Sequence, residues 1–406
     1  RNKGVNTMYI NLSMNIKEII TKYPETKAVF ENQGIQGLED EKVLQLLEAY
    51  PLSKIMELKK VDSKAFLSRL EESIKTNRET SDITMKKEEK KENGLSLLGL
   101  LPCPVRIPLL EGFQNFLQNH PDVEVNYELK AASSGLDWLK KDVIEANHVD
   151  QLADMFLSAG FDLFFDNKWM GKWKAEGIFE DMTGLTHYNT DFENENISLK
   201  DPKGDYSMIG VVPAIFLVNK NALGNRKTPE SWQDILSEEF ENSISLPIAD
   251  FDLFNSILVH IYKLYGQEGV EKLGKSLLSN LHPAQMVDAK EPAITIMPFF
   301  FSKMIKENGP MQVVWPKEGA IISPIFMLTK KHRKEELKPI VNFMGGKEVG
   351  TIISHQGLFP SIHPEVENPT SGKPFVWIGW DFIYSHDMGQ LLQDCESWFM
   401  KGAKRS

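Results

Sequence analysis

The stretch IGVVPAIFLVNKNAL, residues 209–223, is a long run of β-branched and apolar residues that stops at Asn219-Lys220-Asn221. It reads as a strand. SWQDILSEEF (231–240) follows with a helical pattern, then SISLPIAD (243–250) as a strand and FNSILVHIYKLYG (254–266) as a helix. The same alternation runs outward in both directions. Upstream, LSLLGLLPCPV (95–105) precedes a helix at 109–119, and VEVNYELKA (123–131) alternates as a strand before the helix SSGLDWLKKDVIEA (133–146). FDLFFD (161–166) is another short buried strand. Downstream, AITIMPFFFSKMI (293–305) gives strand then helix, GAIISPIFMLTK (319–330) a strand, and KPIVNFMGGKEVGTIISHQG (338–357) a helix. Alternating β and α segments with short connections predict an α/β fold, with parallel or mixed sheets covered on both faces. Two such lobes account for residues 95–406.

The N-terminal part differs. NIKEIITKYPETKAVFENQGI (15–35) places Ile16, Ile19 and Ile20 at helical spacing, stops at Pro24, and resumes through Val29 and Phe30 to Gly34. SKAFLSRLEESI (63–74) adds another amphipathic helix. A small helical domain is expected over 8–75. Residues 76–94, TNRETSDITMKKEEKKENG, are too polar and charged to bury a core and read as a linker.

The net charge of −11 argues against a nucleic-acid binder, which would show a basic face. No run approaches the ~20 apolar residues that span a bilayer. The two cysteines, Cys103 and Cys395, are too far apart in sequence for a metal motif and form no disulfide framework. The phosphate-loop, dinucleotide, zinc-protease and serine-hydrolase signatures are absent. No cofactor, no metal site and no catalytic residue is expected.

The order of elements over about 95–398 resembles the type II periplasmic substrate-binding proteins of ABC transporters. Within them it is similar to the branch of iron(III), thiamine, polyamine and phosphonate binders. The resemblance rests on IGVVPAIFLVNKNAL with TPESWQDIL (228–236), on VVWPKEGAIISP (313–324), and on KPIVNFMGGKEVGTIISHQGLFPSIHPEV (338–366). It implies a two-lobed fold: two mixed sheets flanked by helices, hinge-linked and preceded by the all-α domain. Lobe 1 would take 95–205 plus 325–406, and lobe 2 would take 206–324. The N-terminal segment resembles domain of unknown function 1858. Redox members carry cysteines after the Gly-Ile turn, whereas Gly34-Ile35-Gln36-Gly37-Leu38 has none. A docking or regulatory role is expected instead.

In such a fold the ligand lies beyond the carboxyl ends of the strands, near helix starts. The junctions nominate Cys103, Pro104 and Arg106 after the first strand and Ser133, Ser134 and Gly135 after the second. Asp166 follows FDLFFD. Asp250, Asp252 and Asn255 stand at the SISLPIAD–helix junction, and Met297 and Phe299 at the last. Direct tyrosinate ligation of iron is not expected, because Tyr262 and Tyr265 stand three apart on a helix and no Tyr-Tyr pair occurs.

The resemblance implies capture of a small molecule or metal chelate and delivery to an ABC permease, by a protein expected to be monomeric. The protein would work outside the cytoplasm if a signal has been removed, and inside it if the chain is complete. A cytoplasmic sensor signalling through the helical domain, or an enzyme on the same scaffold, are the alternatives from other classes.

Overall fold

The computed structural model describes residues 9–61, 63–78, 93–132, 135–248, 250–278, 291–305 and 308–404. The helical domain comprises α1 (Ile16–Lys22), α2 (Lys27–Asn32), α3 (Glu41–Glu48), α4 (Leu52–Lys59) and α5 (Ser63–Arg78). Asn15 caps α1 by accepting from the Glu18 amide, and Asp40 does the same for α3 at Lys42. Ile16, Ile19, Phe30, Leu52, Met56, Phe66, Leu70 and Ile74 form a core of the domain's own. α5 runs through Arg78, so the first residues assigned to a linker are helical. The remainder of that linker, 79–92, lies outside the described residues.

Among the described residues nine strands follow: β1 (Leu95–Leu101), β2 (Val125–Ala131), β3 (Met155–Ala159), β4 (Tyr206–Asn219), β5 (Ile244–Ser245), β6 (Ile294–Pro298), β7 (Met311–Val314), β8 (Ala320–Thr329) and β9 (Phe375–Val376). The helices between and after them are α6 (Arg106–Asn119), α7 (Asp137–Glu145), α8 (Asn167–Ala175), α9 (Lys220–Leu223), α10 (Trp232–Ile235), α11 (Phe251–Ser276), α12 (Lys334–Met344), α13 (Lys347–Thr351), α14 (Trp380–Ser385) and α15 (Met388–Ala403).

The fold is two-lobed, but its strands join into one mixed sheet of order β2-β1-β3-β8-β4-β6-β5 rather than two separate sheets. The reason is the length of β4 and β8, which pair antiparallel with each other from Tyr206↔Leu328 to Ala214↔Ile321. The lobe 1 half of β8 pairs with β3, and the lobe 2 half of β4 pairs with β6. These two strands therefore cross between the lobes, with an irregularity between Met208 and Gly210. β8 is buried at every position and β4 at all but one. A strand covered on both faces has no polar face to show, so residues 209–219 read as a continuous apolar run.

The two segments that carry the family resemblance in lobe 2 meet directly. Ser231 and Asp234 form a capping box at α10. Next to it, the buried Trp232 donates its indole N–H to the Gly319 carbonyl at 2.9 Å, and its amide donates to the Glu318 carboxylate.

The C-terminal segment, expected on lobe 1, packs on α8 there and on lobe 2 as well. β9 pairs with β8 at Ala320 and Ile321, on the lobe 2 half, and α15 lies along α11. Glycine makes that helix pairing close. A Cβ on Gly274 would collide with the Phe399 carbonyl and stand 2.9 Å from the Ala403 nitrogen. Gly274→Ala is expected to cost about 2 kcal/mol by overpacking, read as a lower midpoint in urea. An unchanged midpoint would mean that the two backbones do not touch.

Candidate functional site

The carboxyl ends of β1, β2, β3 and β6 converge on the start of α11. Around that point lies a cavity of about 680 Å³. Pro102 and Pro104 line it after β1, Gly135 after β2, Asp162 after β3 and Phe301 after β6. Asp250, Asp252 and Asn255 line it from the head of α11, and Val212 on β4 and Ile325 on β8 from the shared strands. A strand-end cleft is where an α/β sheet leaves backbone groups and helix starts open to a ligand.

Gly160 sets the width of this cleft at its base. Its φ is +77°, and a Cβ there would lie 3.0 Å from the Asp252 Cα. Only glycine takes this conformation and this approach without strain. The end of β3 is thereby held against the first turn of α11, which brings Asp162 and Asp252 to one wall. Asp250 caps α11 by accepting from the Leu253 amide.

The wall is acidic. Among the described lining residues, Glu25, Asp137, Asp162, Asp250, Asp252 and Glu396 face two cations, Arg69 and Lys140. Lys140 pairs with Asp162 at 3.1 Å. Burial holds the Asp252 carboxyl well above the usual range, and the charges of Asp250 and Asp162 push it the same way. Burial also raises Asp250, against the pull of the Leu253 amide and the Arg69 charge. Asn255 is 4% exposed, and its Oδ1 meets no hydrogen-bond partner among the described residues. A buried amide acceptor left open in a carboxylate-lined cavity suits a ligand that brings N–H donors and positive charge. Among the described residues, no group of three or more His, Cys, Asp and Glu side chains is placed to hold a metal ion.

Residues 150–386 match the model of the bacterial extracellular solute-binding protein family. The chain belongs to that family. A relative of this solute-binding protein is the spermidine/putrescine-binding periplasmic protein of Salmonella typhimurium, 24% identical over 264 residues that cover 57% of this chain and 74% of that protein. Among solved structures, the ferric binding protein from Campylobacter jejuni superposes with a TM-score of 0.53 at 16% identity, over 77% of this chain and 100% of that one. The apo ferric ion-binding protein A of Pasteurella haemolytica gives 0.54 at 11% identity, over 76% and 98%. At such identities these structures establish a shared two-lobed fold. No helix among the described residues is long and apolar enough to cross a membrane.

In this solute-binding protein, five expected residues line the cavity: Pro104, Gly135, Asp250, Asp252 and Asn255. Ser133 and Ser134 lie outside the described residues. So does the side chain of Cys103, whose backbone opens a short turn at Cys103–Val105. The other four stand elsewhere. Arg106 is 1% exposed, so it is buried in lobe 1 instead of reaching the cleft, and its Nε and Nη1 meet no partner among the described residues. Asp166 caps α8 through the Lys168 amide and packs on Gly389 of α15. Phe299 packs edge-on against Trp315 at 5.2 Å. Met297 lines a narrow recess beside the cleft. Tyr262 stacks on Trp398, and the Tyr265 hydroxyl donates to Glu318, so both tyrosines pack outside the cavity.

Asp162, Phe301, Lys140 and Arg69 line the cavity without having been singled out. Asp162 and Phe301 sit in the quoted stretches FDLFFD and AITIMPFFFSKMI, one short turn away from the residues chosen there. Arg69 belongs to the helical domain, as do Glu25, Asn32 and Ser73, which also line the cavity.

Proposed function

We propose that this solute-binding protein captures a small cationic organic solute outside the cytoplasm and presents it to an ABC permease. The observation that carries the ligand class is the open Oδ1 of buried Asn255 beside the carboxylates of Asp250, Asp252 and Asp162. Ammonium groups would supply both missing elements, donors and charge. The spermidine and putrescine named for the Salmonella relative are of this chemical type. The cavity volume of about 680 Å³ falls in the range that encloses a small organic ligand. The strands shared by the lobes give a hinge, and a ligand touching both lobes would favour the closed form.

Native mass spectrometry of the purified protein, before and after denaturation, tests this reading. A released amine, together with a higher melting temperature on adding it back, is the expected result. Release of an anionic or neutral solute would reject the ligand class and leave solute capture intact. Turnover of a released compound would reject capture without chemistry.

A further inference from the structure

The helical domain reaches both lobes across the mouth of the cleft. On lobe 1, α5 packs against β2 and the Cys103–Val105 turn. On lobe 2, a Cβ on Gly34 would lie 2.8 Å from the Pro292 ring, and Lys59 stands near Glu291, the charge that opposes the burial of its ammonium. A further contact, at the cavity itself, is Arg69. Its guanidinium lies 3.6 Å from the centre of the Phe301 ring, on the face of an aromatic that lines the cavity. That is a cation–π distance. The same guanidinium lies close enough to Asp250 to pull that carboxyl down against its burial. Arg69 thus covers one aromatic face of the cavity and lies within electrostatic reach of one of its carboxylates, the two kinds of partner a cationic solute would use. Beyond it, no cation among the described residues acts on Asp252, and the Asn255 Oδ1 meets no partner among them.

We propose that the N-terminal helical domain is a resident competitor for the cleft. Arg69 holds the place of a ligand's cationic group, and a cationic solute binds by displacing it. The proposal rests on the cationic-solute reading of the same cavity. Being part of the same chain, the arginine competes at high effective concentration without needing strong contacts. It sets a threshold: the binding-competent fraction is the fraction with Arg69 withdrawn, and apparent affinity falls by that fraction. The competition also discriminates. A monocation can replace Arg69 but gains little, whereas a di- or trication can also engage Asp252 and Asn255.

The test is isothermal titration of the full chain with putrescine and spermidine as probes. Arg69→Ala is expected to bind spermidine about tenfold more tightly than wild type, and Arg69→Lys to behave like wild type. A second measurement stands apart from any folding defect in the variant. On adding spermidine to wild type, amide exchange over residues 25–32 and 63–78 is expected to speed up as the domain leaves the cleft. Weaker or unchanged binding by Arg69→Ala would overturn the competitor role, as would slower exchange in those helices, which would make the domain a wall of the site. If neither variant nor wild type binds either probe, the inference falls. The mass-spectrometric test then decides separately whether solute capture stands.

Discussion

Replacing Asp252 by asparagine is expected to weaken binding of a cationic solute by about a hundredfold or more, and to make the unliganded protein more stable. The two effects have one cause. Asp252 is desolvated at the head of α11, with Asp250 and Asp162 adding negative charge, and its carboxyl titrates well above the ordinary range. The folded protein therefore holds this proton more tightly than the unfolded chain. Stability from that protonation is fully present below the ordinary aspartate range and is lost as pH rises through the raised value. At neutral pH the wild type carries this cost, and asparagine removes it. A bound ammonium removes it too, which is why the carboxylate would hold a cation strongly. Urea titrations at pH 7.5 and pH 4 check the first half: the stability gain should be present at the higher pH and shrink at the lower one. Calorimetry with spermidine checks the second, and affinity for wild type should rise with pH. Asp166→Asn is the control, since Asp166 caps α8 away from the cavity, and its affinity should match wild type. An Asp252→Asn protein that binds as well as wild type, or that is less stable at pH 7.5, would end the idea that this carboxylate is held poised for a cation.

The legibility of this site in the sequence follows from how far each residue stands from a recognisable junction. β4 could be read because both its faces are buried, and the Ser231-Trp232 and Glu318-Gly319 segments because each needs its own residues to dock on the other. Asp250, Asp252 and Asn255 follow from the rule that ligands sit at strand ends and helix starts. The rule locates a junction but gives no side-chain direction within it. The chain turns tightly over Leu163–Phe165, so Asp162 stays at the cleft while Asp166 moves on to cap α8. A similar turn at Phe299–Met304 gives the cleft Phe301 and sends Phe299 to Trp315. Arg69 had no local signal at all. The pattern of α5 reports only which residues bury in its own domain, and nothing in it shows that one arginine crosses to another. The joining of two expected sheets into one was hidden for a related reason, because strand length beyond the lobe boundary is a tertiary property.

The second large effect lies behind the site, in α11. His260 is expected to make the protein lose about 3 kcal/mol of stability between pH 7 and pH 4, through a folded-state pKa moved from 6.5 to about 4. Its ring is 1% exposed, near Phe161 and Trp377, and its Nδ1 lies 2.7 Å from the Ser256 carbonyl. Burial is the main cause of the shift. The Lys263 charge acts in the same direction, and the Ser256 and Val376 carbonyls oppose it. The sign is that of a depressed pKa. The unfolded chain takes up a proton as pH falls through 6.5, the folded protein does not until about 4, and stability is lost across that interval. Above it the contribution is complete. His260→Gln keeps a polar group near Ser256 and has nothing to titrate. The difference in unfolding free energy between wild type and this variant should therefore shift by about 3 kcal/mol from pH 7 to pH 4, whatever the carboxylates do in both. Raised carboxylates such as Asp205, moved to about 6 chiefly by burial, act in the opposite direction and cancel in that difference. A difference that stays constant over the interval would show that water reaches the imidazole, and that the strands and helix around it are not closed as described. A difference that moves as expected would mean that the imidazole is closed off from water in the folded state, on the same helix that carries Asp252 and Asn255 at its head, so that the packing behind the cleft is as tight as described.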